Sequence, residues 1–272
     1  MSESRPLALV TGASAGIGAA YARKLAESGY DLVLVARRRE RLEALAAELA
    51  GKHRVETEVL PADLTCDAGL QAVADRIGRA DNLEFLLNNA GFGASGRFWE
   101  APVEVQDAMH RLHVLATMRL THAALRKMTA RGRGAVVNVS SVAAFIARVG
   151  NVSYYSTKAW INNFTEGLHM ELKDARSPVR VQTLCPGYTV TEFHDVMGFD
   201  RRLVPRSLWL SADDVVTASL AGLQRGDWMV VPGWRYKLLV LLLRLLPRAI
   251  KHLAADLGPG GGKRDATTAT LE

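Results

Sequence analysis

The sequence has very little cysteine. Its 272 residues include only Cys66 and Cys185, which are far apart and have no CxxC partner or neighbouring metal ligands. Disulfide-stabilised secreted domains and cysteine-based metal sites both need more cysteines at short spacings. We therefore expect a reduced intracellular protein with no metal site.

Long apolar runs are also missing. No segment is long and apolar enough to span a bilayer, and the first residues contain no apolar stretch of the kind found in signal peptides. The formal net charge is +6, but no long stripe of Lys and Arg interleaved with aromatic residues occurs. These absences predict a cytoplasmic protein and argue against nucleic acid as a partner.

Short apolar runs do alternate regularly with helical patterns. The apolar runs lie at 7–10, 31–36, 55–60, 83–87, 134–140, 179–184 and 228–231. Such alternation is typical of α/β proteins, and the length suits one large domain. We predict an α/β fold with a Rossmann-type doubly wound parallel sheet of about seven strands and helices on both faces.

A glycine-rich turn directly follows the first apolar run. Gly12, Gly16 and Gly18 lie between that run and a helical pattern, and Ser14 and Ile17 belong to the same turn. Because glycine has no Cβ atom, backbone N–H groups can approach a phosphate there, and a helix N-terminus adds a favourable dipole. A turn without a ligand is the alternative for this motif alone, but the strand before it and the helix after it favour a dinucleotide site.

Four motifs occur in an order typical of one family. They are Thr11-Gly-Ala-Ser-Ala-Gly-Ile-Gly18, Asn88-Asn-Ala-Gly91, Ser141 with Tyr154-x-x-x-Lys158, and Pro186-Gly-Tyr-Thr-Val-Thr191. In this order they resemble the short-chain dehydrogenase/reductase family, over about residues 5–231 of the chain. The resemblance implies an oxidoreductase that moves a hydride between a nicotinamide cofactor and a carbonyl or secondary alcohol.

The resemblance implies a catalytic group of Ser141, Tyr154 and Lys158. The family's spacings select Ser141 over Ser140 and Tyr154 over Tyr155. Tyr154 and Lys158 are four residues apart on a predicted helix and point the same way, although such a pair is often only a surface contact. Moving the pKa of a phenol from about 10 to about 7 needs roughly 4 kcal/mol, which a nearby ammonium and a positive nicotinamide would favour. Tyr154 would be the acid/base, Ser141 would orient the substrate oxygen, and Lys158 would also hold the nicotinamide ribose.

The end of the second apolar run predicts the form of the cofactor. The run ends at Ala36, where dinucleotide-binding proteins often carry an acidic residue for the adenosine ribose, and Arg37 and Arg38 follow. A guanidinium can hold a 2′-phosphate through two hydrogen bonds, so we predict NADP(H) rather than NAD(H). The resemblance implies that Ser14 shares this phosphate with Arg37. A solvated helix start without a ligand is the alternative.

The other cofactor contacts come from the resemblance alone. It implies Asp63 and Leu64 at the adenine, Asn89 at the cofactor ribose, and Pro186, Gly187, Thr189 and Thr191 at the nicotinamide carboxamide. Each also has a simpler interpretation, because Asp, Asn and Pro-Gly are common turn residues at strand ends.

One position departs from the family pattern. Members usually carry an asparagine in the long helix after Asn-Asn-Ala-Gly, and His113 takes its place here. The resemblance implies that the asparagine holds a water between the lysine and bulk solvent. His113 can also bind a water, so we include it among the catalytic candidates and expect an extra titration of activity near about pH 6.5. A helix-packing histidine is the alternative.

The C-terminal part has a different pattern. We place the Rossmann-type domain at 1–234, an amphipathic helical extension at 235–257, and a Gly- and Thr-rich tail, expected to be disordered, at 258–272. Lys237, Arg244, Arg248 and Lys251 form one basic stripe of the extension. The extension suits a lid or a subunit-packing helix, and an interfacial helix on an anionic membrane is the sharper alternative.

The predicted function is therefore an NADP(H)-dependent reductase or dehydrogenase acting on a small carbonyl or alcohol. An apolar substrate is expected because several aromatic residues could line a pocket, namely Phe92, Phe145, Tyr188, Phe193 and Trp209. The resemblance also implies a homodimer or homotetramer. Two rival functions stay open: a cofactor-binding regulatory protein with little turnover, and a membrane-peripheral protein that acts through its C-terminal helix.

Overall fold

A computed structural model of the chain describes residues 5–94, 96–193 and 200–246. These residues form one seven-stranded sheet in which every strand pair is parallel. The strands are β1 (Leu7–Thr11), β2 (Asp31–Ala36), β3 (Thr57–Pro61), β4 (Leu83–Asn88), β5 (Ala135–Val139), β6 (Arg180–Leu184) and β7 (Met229–Val230). Their order across the sheet is β3-β2-β1-β4-β5-β6-β7.

Helices connect the strands. They are α1 (Gly16–Glu27), α2 (Arg39–His53), α3 (Asp67–Gly78), α4 (Val103–His110), α5 (Thr117–Arg131), α6 (Val152–Asp174), α7 (Ala212–Arg225) and α8 (Trp234–Leu245). A π-helical turn, Arg111–Ala116, joins α4 to α5, and single 3-10 turns lie at Val142–Phe145, Arg201–Leu203 and Arg206–Leu208. Strands and helices confirm the predicted doubly wound α/β fold.

The central strands of the sheet are buried on both faces and are mostly apolar. Leu9 and Val10 are adjacent in β1 and belong to two different apolar clusters. One cluster contains side chains of α1, α2 and α7, and the other contains side chains of α3, α5 and α6. Successive side chains of a strand point to opposite faces, so β1 to β6 each contribute to both clusters.

Two helices have features that the sequence does not reveal. Helix α2 begins only at Arg39, because Ala36 still belongs to β2 and Arg38 has extended backbone angles. The long helix that follows Asn88-Asn-Ala-Gly91 contains the π-helical turn, which periodicity does not reveal. Of the extension predicted at 235–257, the described part ends with α8 and Leu246. Residues 247–257 and the tail at 258–272 lie outside the described residues, and the domain boundary at 234 stays a prediction.

The strand order reverses between β1 and β4, which lie side by side although α1 to α3 separate them in sequence. A crevice opens at the carboxyl ends of the strands at such a point, because the connections leave to opposite faces of the sheet. The glycine-rich turn follows β1, and Asn89 follows β4. The fold thus brings these motifs to one edge of the sheet.

A buried polar network holds α6 against the centre of the sheet. The Asn88 amide donates to Thr121 Oγ1 at 2.9 Å and to Asn138 Oδ1 at 2.8 Å. Asn138 donates in turn to Thr165 Oγ1 of α6 at 3.0 Å. Buried polar groups are costly without partners, so this chain of bonds favours a single placement of α6.

Gly18→Ala should destabilise the protein. A Cβ atom at Gly18 would lie 2.2 Å from the Gly12 carbonyl oxygen and 2.7 Å from Asn89 Nδ2, and the first of these belongs to the backbone. We expect a loss of about 2–3 kcal/mol in the free energy of unfolding, measured by urea denaturation, because overpacking forces the turn to move.

Gly51→Ala is the matched control, because Gly51 also lies in a helix but a Cβ atom there meets nothing within 4 Å. Alanine has the higher helix propensity, so this variant should gain roughly 0.5–1 kcal/mol. Equal stabilities of the two variants would mean that the turn widens without cost.

Candidate active site

The glycine turn has the backbone shape that a phosphate site requires. Gly12 and Gly16 have φ angles of +65° and +55°, in the left-handed region that favours glycine. Helix α1 starts at Gly16 with Ala15 as its N-cap, and no side chain caps it and no acidic residue lies in its first turn. The helix dipole is therefore available to an anion. These features fit the pyrophosphate of a dinucleotide. The side chain of Ile17 packs against the apolar cluster that contains side chains of α1, α2 and α7.

Asn89 holds this turn in place. Its Nδ2 donates to the carbonyl oxygens of Thr11 at 3.0 Å and Gly12 at 3.2 Å, and its backbone N–H donates to Thr11 Oγ1 at 2.9 Å. The bonds join the end of β4 to the end of β1. The contact of Asn89 with the cofactor ribose stays a prediction.

A cluster of charged side chains lies beside Ser14. Arg38 Nη2 donates to Ser14 Oγ at 3.0 Å, and Arg38 Nη1 donates to Glu192 Oε2, also at 3.0 Å. Arg41, one turn later on α2, pairs with the other oxygen of Glu192. The structure thus brings Arg38 to Ser14, whereas the sequence pointed to Arg37, whose contact with a 2′-phosphate stays a prediction. Arg41 could have been found from its spacing of three after Arg38, but nothing in the sequence indicated Glu192.

Asp63 and Leu64 lie at the same edge of the sheet, after β3. Asp63 Oδ1 accepts hydrogen bonds from the Thr65 backbone N–H at 2.9 Å and from Thr65 Oγ1 at 2.7 Å. Leu64 is buried in the cluster on the α3 side. Asp63 therefore serves at least as a turn residue, and the adenine contact of both residues stays a prediction.

Ser141, Tyr154 and Lys158 come together where β5 and α6 meet. Ser141 follows β5 and caps the 3-10 turn by accepting a hydrogen bond from the Ala143 N–H at 3.1 Å. Tyr154 lies in the first turn of α6, and Lys158 Nζ is 5.6 Å from the centre of its ring. Lys158 Nζ also donates to the Val139 carbonyl at 2.9 Å. The three predicted side chains thus form one cluster.

Burial dominates the electrostatics of this cluster. It raises the pKa of Tyr154 to about 12, although a hydrogen bond with Ser141 opposes the shift. Burial also lowers the pKa of Lys158 to about 8. The expected lowering of the Tyr154 pKa is therefore absent in the protein alone, because desolvation outweighs an ammonium more than 5 Å from the ring.

His113 has hydrogen-bond partners on both ring nitrogens. Nε2 accepts from the Phe92 backbone N–H at 3.2 Å, so the neutral ring carries its proton on Nδ1, which donates to Thr157 Oγ1 at 2.9 Å. Thr157 Oγ1 donates to the Tyr154 carbonyl at 3.0 Å. The ring also occupies the space that a Cβ atom at Gly91 would need, 2.8 Å from Nε2. His113 thus links the loop after β4 to the first turns of α6.

The expected titration of His113 near pH 6.5 is wrong for the protein alone. Burial, and then the charge of Lys158, lower the pKa of His113 well below its usual value of 6.5. The ring consequently stays neutral through the neutral pH range. Its part in proton transfer stays a prediction.

The segment after β6 folds over the glycine turn. The Pro186 carbonyl accepts from the Val142 N–H at 3.0 Å, and Thr189 Oγ1 donates to the Gly187 carbonyl at 3.0 Å. The Thr191 side chain packs on Gly16, where an added Cβ atom would lie 2.8 Å from Thr191 Cγ2. This placement suits the predicted contacts of the segment with a nicotinamide, which stay predictions.

Tyr236 of α8 supports this segment, and no motif or spacing in the sequence indicates this contact. Its hydroxyl donates to the Leu208 carbonyl at 2.6 Å and accepts from the Tyr188 N–H at 3.1 Å. Its ring lies so close to Gly187 that a Cβ atom there would be 2.1 Å from Cζ. The C-terminal helix therefore positions the residues next to the predicted nicotinamide site.

The aromatic candidates divide into separate groups. Phe193 lies 5.9 Å from Tyr154 between ring centres, and Phe92 lies 6.2 Å from His113. Tyr188 and Trp209 pack on each other at 5.4 Å. The fifth candidate, Phe145, lies under the Arg244 guanidinium at 5.5 Å. Phe193 thus lies beside Tyr154, and Phe92 lies beside His113.

Comparisons with known proteins agree with this geometry. A family model described as short chain dehydrogenase matches residues 6–199. The 3-oxoacyl-(acyl-carrier-protein) reductase of Aquifex aeolicus is 32% identical over 192 residues, which are 70% of this chain and 77% of that protein. A solved short-chain dehydrogenase from Sphingobium yanoikuyae, in complex with NADPH, has a TM-score of 0.80 and 36% identity, and covers 90% of this chain and 97% of its own. The bulky-bulky ketone specific alcohol dehydrogenase of Comamonas testosteroni has a TM-score of 0.77 and 31% identity, and covers 91% and 97%.

Lys158→Met should stabilise the protein at pH 7. A buried lysine whose pKa falls from 10.5 to about 8 carries its charge at pH 7 at a cost of roughly 3–4 kcal/mol. Methionine has a similar shape and no charge, so the free energy of unfolding should rise by about that amount in urea denaturation at pH 7.

The pH dependence provides the control. Between about pH 8 and 10.5 the unfolded chain binds more protons at Lys158 than the folded one, so the wild type should gain stability with rising pH across this window. The variant should lack that gain. A variant less stable than the wild type at pH 7 would mean that the bond to Val139 outweighs the cost of burial.

Proposed function

The chain belongs to the short-chain dehydrogenase/reductase family, and from this we propose that it is an NADP(H)-dependent oxidoreductase acting on a ketone or secondary alcohol. The observation that carries the proposal is the cluster of Ser141, Tyr154 and Lys158 at the carboxyl end of the sheet, next to the glycine turn. Each side chain has a chemical role that its surroundings support.

Tyr154 is the proton donor in carbonyl reduction. The nicotinamide supplies the hydride in that direction and accepts it in the other. Because burial raises the pKa of Tyr154 to about 12, the phenol is protonated at neutral pH and can donate to the substrate oxygen. Ser141 is within hydrogen-bonding reach of Tyr154 and orients the same oxygen. The Lys158 ammonium stabilises the phenolate that remains after proton transfer.

The 2′-phosphate site supports NADP(H) as the cofactor. Ser14 and Arg38 are already hydrogen-bonded to each other, and Arg37 and Arg41 lie on either side of Arg38 in sequence. The strand end Ala36 and the three arginines directly after it include no acidic side chain to accept bonds from an adenosine ribose. The NADPH complex of the Sphingobium relative is consistent with this choice.

The substrate we propose is an apolar carbonyl compound. Phe193 lies beside Tyr154 and Phe92 lies beside His113, and both would provide apolar contact surface. The relative from Comamonas is named for bulky ketones, which supports the same class. A homodimer or homotetramer follows from membership of the family and is part of the proposal.

Tyr154→Phe should abolish turnover and leave cofactor binding intact, because only the hydroxyl proton is lost. We expect kcat to fall by about 100-fold or more in NADPH oxidation with a panel of apolar ketones, with the NADPH dissociation constant changed less than about twofold.

Tyr155→Phe is the matched control, since Tyr155 is the next residue and its ring centre is 6.3 Å from that of Tyr154. Its kcat should change less than about threefold. If Tyr155→Phe loses more kcat than Tyr154→Phe, the proposed catalytic role belongs to Tyr155 and the assignment to Tyr154 is wrong. If the wild type binds NADPH and turns over no ketone or alcohol, the regulatory alternative is the better one.

A second candidate function concerns the outward face of α8. Tyr236 and Val240 are the buried side of this helix, and its opposite side exposes apolar residues, namely Trp234, Leu238, Leu241, Leu242 and Leu245. Within the described residues, no helix has both the length and the apolar character needed to cross a membrane. An exposed apolar stripe on a helix of this length suits contact with a surface instead.

The charges on α8 favour an anionic lipid surface as the occupant. Arg235, Lys237 and Arg244 flank the apolar stripe, and α8 contains no acidic residue. A second copy of the helix would bring cations against cations in either orientation. Anionic lipid would instead attract each cation by about 1 kcal/mol. We therefore propose peripheral binding to anionic membranes through α8.

Leu241→Glu should weaken binding to vesicles that contain anionic phospholipid. We expect the fraction bound in flotation to fall by about tenfold relative to the wild type, because a carboxylate replaces apolar surface and is repelled by the lipid. Leu203→Glu is the control, since Leu203 is 55% exposed and Leu241 is 54% exposed. A wild-type protein that does not float with the vesicles would contradict lipid as the occupant. So would a Leu241→Glu variant whose flotation is unchanged and in which only the molecular mass of the protein, measured by light scattering, differs from that of the wild type.

A further inference from the structure

Glu192 lies where the predicted 2′-phosphate contacts converge. Its carboxylate accepts one hydrogen bond from Arg38 at 3.0 Å and pairs with Arg41 through its other oxygen. The same Arg38 guanidinium donates to Ser14. A carboxylate of the chain itself thus uses the guanidinium donors that a phosphate at this position would need.

The three charged side chains are accessible to a ligand. Glu192, Arg38 and Arg41 are each between 44% and 48% exposed. An open hollow between α1 and α2, lined by Ser14 and Arg41 among others, adjoins them. The hydrogen bond from Arg41, and also that from Arg38, lowers the pKa of Glu192, so the carboxylate is ionised at neutral pH.

The ion pairs also connect distant parts of the chain. Glu192 follows Thr191, which packs on Gly16, and its partner Arg38 lies 154 positions earlier at the start of α2. The segment after β6 is therefore held across the front of the dinucleotide crevice. Exchange of the carboxylate for another anion would release this segment from α2.

We propose that Glu192 is a cofactor-specificity residue whose carboxylate occupies Arg38 and Arg41 in the cofactor-free protein and is displaced by the 2′-phosphate of NADP(H). This inference rests on the proposed use of NADP(H). A phosphomonoester has a charge of about −1.5 to −2 and three acceptor oxygens, so it competes well against a single carboxylate. A ribose with a free 2′-hydroxyl carries no charge and leaves the ion pairs intact. Glu192 therefore lowers the apparent affinity for the phosphorylated form only.

The test is Glu192→Gln, measured by isothermal titration calorimetry with two probes, adenosine 2′,5′-bisphosphate and adenosine 5′-monophosphate, which differ only in the 2′-phosphate. Glutamine keeps the shape and removes the competing charge. We expect the variant to bind the bisphosphate about 5- to 10-fold more tightly. This is the change expected if the fraction of protein in which Arg38 and Arg41 can bind a phosphate rises from about a tenth to nearly one. Binding of the monophosphate should change less than about twofold, and NADPH against NADH should give the same contrast.

Glu43→Gln is the matched control. Glu43 pairs with Arg39 on the exposed side of α2 at 3.6 Å, so this variant makes the same charge change near the site without freeing Arg38 or Arg41. It should bind both probes as the wild type does. A wild type that binds the two probes equally would overturn NADP(H) preference and this inference together. A wild type that prefers the bisphosphate, with Glu192→Gln unchanged or weaker, would overturn the role of Glu192 alone.

Discussion

The hydrogen bonds of Asn89 with Thr11 and Gly12 join the two strands between which the order of the sheet reverses. The crevice for a dinucleotide exists because α1 and the loop after β4 leave the sheet on opposite sides, and these bonds set the separation of the two. Gly18 permits this closeness, since any Cβ atom would meet the Gly12 carbonyl. The glycine turn and the start of α1 are thus held against the end of β4.

Burial places the cluster of Ser141, Tyr154 and Lys158 under opposing demands. A dry pocket strengthens electrostatic interactions, but it also disfavours both the phenolate of Tyr154 and the ammonium of Lys158. The protein alone therefore holds a protonated phenol next to a lysine whose pKa has fallen to about 8. His113 adds no charge there, and its hydrogen bonds to Phe92 and Thr157 give it a positioning role. The buried network of Asn88, Asn138 and Thr165 joins α6, which carries Tyr154 and Lys158, to the centre of the sheet.

The segment after β6 is controlled from two sides. Tyr236 contacts its first residues: the Tyr236 hydroxyl accepts a hydrogen bond from the Tyr188 N–H, and the Tyr236 ring packs against Gly187. Glu192 attaches its end to α2 through exposed ion pairs, which water and ions screen and a stronger anion can replace. The contacts of Tyr236 thus lie near the predicted nicotinamide, and the exposed ion pairs of Glu192 lie near the predicted 2′-phosphate. This distribution lets one end of the segment respond to the cofactor while the other keeps its position.

The sequence by itself determined the alternation of strands and helices and the glycine turn, because apolar periodicity and short spacings are local properties. The group of Ser141, Tyr154 and Lys158 was indicated by the resemblance to the family, and the structure brings the three side chains together. The sequence also indicated arginines after β2 but named Arg37 where the structure brings Arg38 to Ser14, since the direction of a side chain depends on where β2 ends. Only the tertiary structure decided the contacts of Glu192 and Tyr236, which join residues far apart in sequence, and the π-helical turn that carries His113. It also decided the pKa shifts of Tyr154, Lys158 and His113, because desolvation depends on what surrounds a group in space and not on its neighbours along the chain.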